Sequence, residues 1–234
     1  MPSTRRPAAR APVPERPPVE GGRRARTYRH LVDEAMKLAR NGSVASVSEV
    51  AAAAGVSRAT AYRYFPSHSR LVEAIVDESL GPVRRFESRE VAGEARIRDL
   101  FEQTFPRFKE FEPQLRAALQ TALDHWARER SGTLDEEPFR RGNRRRILAH
   151  AAAPLRERLG AREYERLLKA LSLVYGIEPY VVLKDMWHAS NPEVDRIARW
   201  VAEAVIEKSL AEAAGAGRTT AAGRRRTRAT PGKP

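Results

Sequence analysis

The residues of this chain best suited to chemistry lie together in Arg58-Ala-Thr-Ala-Tyr-Arg-Tyr64. Arg58 and Arg63 can each place a bidentate pair of hydrogen bonds on O6 and N7 of a guanine. Ala59 and Thr60 offer small contacts, such as that with a thymine methyl. Groups that reach base edges need others that anchor the phosphate backbone, and aromatic hydroxyls flank Arg63 on both sides. Tyr62, Tyr64 and Phe65 also have a competing role as core residues, strongest for Phe65 and weakest for Tyr64. For the two arginines the alternative is a solvated surface position.

Such side chains need a rigid helix to carry them, and the flanking residues specify one. Ser46 followed by Glu49 is a capping box, in which a hydroxyl and a carboxylate satisfy the free donors of a helix start. Val50, Ala51 and Ala54 give that first helix a small apolar face. Gly55 supplies the positive φ that ends it, Val56 fills the angle, and Ser57 caps the second helix. The spacing predicts a helix-turn-helix.

The stretch Ala51-Ala-Ala-Ala-Gly-Val-Ser-Arg-Ala-Thr-Ala-Tyr-Arg-Tyr-Phe65 closely resembles the DNA-binding domain of TetR/AcrR-type transcriptional repressors. The likeness extends upstream over an amphipathic helix from Thr27 to Asn41 and downstream through FPSHSRLVEAIVDESL. The resemblance implies double-stranded DNA as partner, an inverted-repeat operator, a homodimer and a small-molecule effector that releases DNA. It assigns DNA contacts to Ser46, Ser48, Ser57, Arg58, Ala59, Thr60, Tyr62, Arg63, Tyr64 and His68, with the tyrosines bonding phosphates. Position 68 departs from the pattern, because the family usually has a lysine there. Histidine is fully charged only in acid, so His68 predicts DNA binding that weakens as pH rises. A capping or surface role competes at that position.

Composition sets wider bounds. The net charge of +13 is uneven, since residues 1–26 carry +5, residues 211–234 carry +5, and the 184 residues between carry +3. Segment 27–80 has six basic and six acidic residues, so the basicity belongs to the tails and does not mark the DNA-binding domain. The chain has no cysteine, which excludes thiolate metal sites and cysteine nucleophiles and suits a cytoplasmic location. No apolar run is long enough to cross a bilayer. The chain has no glycine-rich phosphate loop, nucleophile elbow or HExxH spacing, so an enzyme is not expected. His125, His150 and His188 are scattered, and neither a metal nor another cofactor is expected.

Helical periodicity covers nearly everything between the tails and predicts an all-α fold. It divides into an N-terminal three-helix helix-turn-helix DNA-binding domain over 27–80 and a C-terminal helical ligand-binding and dimerisation domain over 81–212. The tails 1–26 and 213–234 are too poor in large apolar residues to order themselves. Within the second domain one helix is predicted to bury Leu115, Ala118, Leu119, Leu123 and Trp126, and the stretch 139–159 to be helical, kinked or divided at Pro154. The segment 161–188 is apolar on two sides, and Asn191-Pro192 starts a further helix. The homodimer is therefore expected to form through helices near 161–188 and 191–212. Phe101, Phe105, Trp126, Tyr175 and Glu178 are candidates for an effector pocket, although aromatics at this spacing also serve as core. Glu178 and Asp185 share a helix side, and pairing with arginines of 140–146 is favoured over ligand contact. The basic tails favour one alternative, a non-specific architectural DNA-binding protein.

Overall fold

In a computed structural model of the chain, which describes residues 21–139 and 142–228, the fold is all-α, with no strand among the described residues. Helix α1 (Arg23–Leu38) leads through a 3₁₀ turn to α2 (Val47–Ala53), α3 (Arg58–Tyr64) and α4 (His68–Leu80). A second 3₁₀ turn precedes α5 (Gly93–Glu110), α6 (Glu112–Ser131), α7 (Asn143–Ala151), α8 (Leu155–Val174), α9 (Glu178–Trp187) and α10 (Asn191–Arg228).

Two apolar cores organise these helices. The first joins Leu31, Val32 and Ala35 of α1 to Val50 and Ala51 of α2, Ala61 of α3, Phe65, and Leu71 and Ile75 of α4. The second gathers Leu100, Phe101 and Phe105 of α5 with Ile147 and Leu148 of α7, Leu167 and Leu171 of α8, and Val194 and Ala198 of α10. Helix α4 belongs to both, since its own Leu80 packs in the second core. Its ends are also tied to α5 and to the loop after α6. The Arg107 guanidinium donates from Nε to the Ser79 carbonyl at 2.9 Å and from Nη2 to the Glu78 carbonyl at 2.6 Å. At the other end the Ser69 N–H donates to Glu136 Oε2 at 3.2 Å, and the Ser69 hydroxyl donates to the Glu137 carbonyl at 2.5 Å.

Several expectations need correction. Helix α1 begins at Arg23 rather than Thr27, so Arg23, Arg24 and Arg26 are helical. Arginine is a good helix former, and the chain reaches α1 from Gly22 at a positive φ of 106°. Residues 1–20 of the expected basic tail, with Arg140 and Arg141, lie outside the described residues. Helix α10 continues to Arg228, past the predicted tail start at 213; its alanine- and arginine-rich sequence favours helix. The predicted helix over 139–159 is shorter, as α7 starts at Asn143 and Pro154 precedes α8, which is kinked at Gly160. On α6 the buried side is Leu115, Ala118, Thr121 and His125, while Leu123 and Trp126 are exposed.

The predicted continuous helix over 161–188 is broken at Tyr175–Ile177. Gly176 sits at φ 154°, and a Cβ there would lie 2.1 Å from an Arg144 nitrogen. Pro179 then opens α9. The break lets the Arg144 guanidinium pass the backbone and pair with Glu178, so that carboxylate has a cation from the 140–146 segment. Asp185 instead binds Arg116, at 2.7 Å.

Candidate nucleic-acid interface

The helix-turn-helix is held by local bonds. The Ser46 N–H donates to Glu49 Oε2 at 2.7 Å, and the Glu49 N–H donates to Ser46 Oγ at 3.2 Å, completing the capping box. These bonds hold the Glu49 carboxyl below the usual carboxylate range, the backbone donor of Ser46 contributing most. Helix α2 ends in a Schellman pair, with the Gly55 N–H on the Ala52 carbonyl and the Val56 N–H on the Ala51 carbonyl. Gly55 takes φ 63° there, a left-handed conformation that a residue with a Cβ adopts at a cost. Ser57 caps α3 through the Thr60 N–H at 3.2 Å. From α1, a His30 ring nitrogen meets the Ala54 carbonyl at 3.1 Å, fixing the end of α2.

Within that frame α3 has one locked and one free side. Ala61 is buried, and Phe65, 2 % exposed, packs its ring 5.5 Å from that of Tyr28. Arg58, Ala59, Tyr62 and Arg63 are exposed, so two guanidiniums and a phenol project from the same short helix. Thr60 is half-buried, its hydroxyl 2.9 Å from that of Ser57. Ser46 and Ser57 are exposed but already engaged as caps, and Ser48 is half-buried on α2.

The two tyrosines divide differently from expectation. Tyr62 is 45 % exposed, whereas Tyr64 is half-buried with its ring 6.2 Å from Tyr28. Tyr64 is thus the packing residue and Tyr62 the projecting one, because Tyr28 of α1 lies on the Tyr64 side. His68, first residue of α4, is half-buried with its ring 6.2 Å from that of His125. It stands in a cluster with His125 and Glu136. Sequence reading missed this cluster, since its members come from three separate elements and share no spacing.

A cavity of 360 Å³ opens between α4, α5, α6, α7 and the Tyr175–Ile177 turn. Val76, Asp77, Phe108, Leu119, Arg144 and Tyr175 are among its walls. Of the predicted pocket residues Tyr175 lines it directly, and Glu178 stands behind its pair Arg144. Phe105 is a core residue, Phe101 lines a separate groove between α5 and α10, and Trp126 is 60 % exposed. The Tyr175 hydroxyl lies 2.9 Å from that of Thr104, and burial pushes its pKa well up, so it stays a neutral donor. Burial also raises the Asp77 carboxyl, against the opposing pull of Arg84 at 2.9 Å.

Comparison with known proteins bears on the same segment. A family model for bacterial regulatory proteins of the tetR family matches residues 31–75. A similar protein is the HTH-type transcriptional repressor LfrR of Mycolicibacterium smegmatis, 41 % identical over 59 residues. That alignment covers 25 % of this chain and 31 % of the relative, so it spans about a third of the relative's length. No helix among the described residues is long and apolar enough to cross a membrane. The segment from the core of α1 through α4, with its capped turn and projecting arginines, is the part of this chain that is similar to the tetR family of bacterial regulatory proteins.

Proposed function

We propose that the chain is a sequence-specific DNA-binding transcriptional repressor that binds an inverted-repeat operator as a homodimer and lets go when a small molecule fills the second domain. The observation that carries this reading is α3, a doubly anchored short helix whose exposed side is Arg58, Ala59, Tyr62 and Arg63. Arginines on a rigid helix suit guanine edges in the major groove, and the Tyr62 hydroxyl suits a phosphate. The relative's name, a transcriptional repressor, points the same way.

Release follows from where the cavity lies. Glu73, Val76, Asp77 and Leu80 of α4 form one wall, so a ligand there presses on the helix that both cores share. Helix α4 follows α3 after a short turn, and its displacement re-aims the arginines. The coupling requires only that the ligand bind the two positions of α4 with different affinity.

Selection of bound duplexes from a randomised pool, at near-physiological salt, tests the reading. An enriched inverted repeat is the expected result. Retention of DNA without any enriched motif, lost steeply as salt rises, would favour the architectural alternative carried by the basic tails.

A further inference from the structure

His68 at the start of α4, His125 on α6 and Glu136 on the loop after α6 each bring a ligand atom within 4.8 Å of the others. His125 is 2 % exposed, and the other two are half-buried. Two imidazole nitrogens and one carboxylate oxygen form a donor set for a borderline divalent ion, with one tetrahedral position left open. We propose that these three residues bind a divalent transition-metal ion of the Zn²⁺ class, tying the start of α4 to α6 and to the loop.

The carboxylate is already oriented. Glu136 Oε2 accepts the Ser69 N–H, which leaves Oε1, 3.5 Å from His125 Nε2, for the ion. Such outer bonds are what fix first ligands in metal sites. The positive end of α4 opposes a cation, and the charge of Glu136 offsets it. Tetrahedral ligands about 2.0 Å from the ion lie about 3.3 Å from one another, so the farthest pair must close by about 1.5 Å.

His125 has to change partner. Its Nδ1 accepts the Phe139 N–H at 3.1 Å, which puts the proton of the neutral ring on Nε2. An ion on Nε2 shifts that proton to Nδ1, where it meets the Phe139 N–H, and the bond breaks. No proton leaves the ring in this exchange. Loading therefore frees the backbone at Phe139, whose side chain packs with Val72 of α4 and Ala118 of α6 and lines the cavity. The ion acts as a switch on the loop rather than as an inert staple.

The test uses untagged full-length protein stripped of metal with EDTA and titrated with Co²⁺, then competed with Zn²⁺. One equivalent per chain is expected, with the visible bands of a tetrahedral N/O site displaced by Zn²⁺. His68→Ala and Glu136→Gln should each weaken binding by about tenfold or more. Hydrogen exchange at the Phe139 amide should quicken on loading. Absence of any bound equivalent in the wild type, or unchanged bands in both variants, would overturn the proposal. Both variants are checked by thermal melting, and His68→Gln replaces His68→Ala if the latter loses its fold. None of these readings involves DNA, so failure here leaves the repressor reading standing, and failure of that reading leaves this one.

Discussion

At the scale of single residues, the DNA contacts proposed for Tyr62 and Arg63 are of two kinds. Both are exposed on α3, but a guanidinium on a guanine edge carries sequence information and a phenol on a phosphate does not. Arg63→Ala should cost about 1–3 kcal/mol on the operator and relax preference at one base pair. Tyr62→Phe should weaken binding evenly on operator and random duplexes, by about 0.5–1.5 kcal/mol for one hydrogen bond. Fluorescence anisotropy on both duplexes checks the pair, and an even loss with Arg63→Ala would remove it from base reading. Glu49 gives a prediction for pH. Its folded pKa is lowered, first by the Ser46 backbone bond, so its stabilisation is present above the unfolded glutamate value of about 4.3 and is lost as pH falls through the lower folded value. The melting temperature of wild type should exceed that of Glu49→Gln at neutral pH, and the gap should close in acid. These residues were legible because caps and turns are local, with every partner within a few positions. The division between Tyr62 and Tyr64 was not, since it depends on where Tyr28 of α1 lies.

At the scale of elements, α4 is the joint of the molecule, and its C-terminal end rests on Arg107. The guanidinium satisfies two carbonyls that the helix leaves free and stacks 4.2 Å over the Phe111 ring. Arg107→Ala removes two charge-assisted bonds at a partly exposed site, a loss of about 1–3 kcal/mol in total. For a chain of this size that lowers the melting temperature by about 2–4 °C per kcal/mol. Calorimetry should show the fall together with a broader transition, because the two cores lose part of their common support. A sharp, unshifted melt would mean that Arg107 does not support the end of α4. The first domain expected over 27–80 ends where α4 does, but nothing near Arg107 announced its partners. The break at Tyr175–Ile177 was hidden for the same reason: Gly176 is required by the approach of Arg144 from α7, a tertiary event. The cavity inherits this, because its walls come from four helices and a turn that no single periodic stripe describes.

At the scale of the whole molecule, the second domain leaves several large apolar side chains exposed. Helix α10 turns Val194, Ala198, Ala202 and Ile206 inward, while Trp200 on its other side is 69 % exposed. Leu173 of α8, with Met186 and Trp187 of α9, is exposed as well. A monomer rarely keeps so many large apolar side chains in water, and a standard interface covers about 800 Å² on each partner. The homodimer expectation from sequence rested on 161–188 and the helix after it, a segment that is two helices rather than one. A homodimer through α8, α9 and α10 would set two copies of α3 against successive major grooves, about 34–36 Å apart or somewhat more. Trp200→Glu places a charge in that surface and should convert the dimer to a monomer in sedimentation equilibrium at micromolar protein. Trp200 is exposed within one chain, so the fold itself should survive, as a melt would verify. The monomer should also lose most of its operator affinity, because the second half-site is no longer bound as an intramolecular event. If Trp200→Glu stays dimeric, the partner must lie elsewhere, and the exposed Leu123 and Trp126 of α6 become the surface to mutate next.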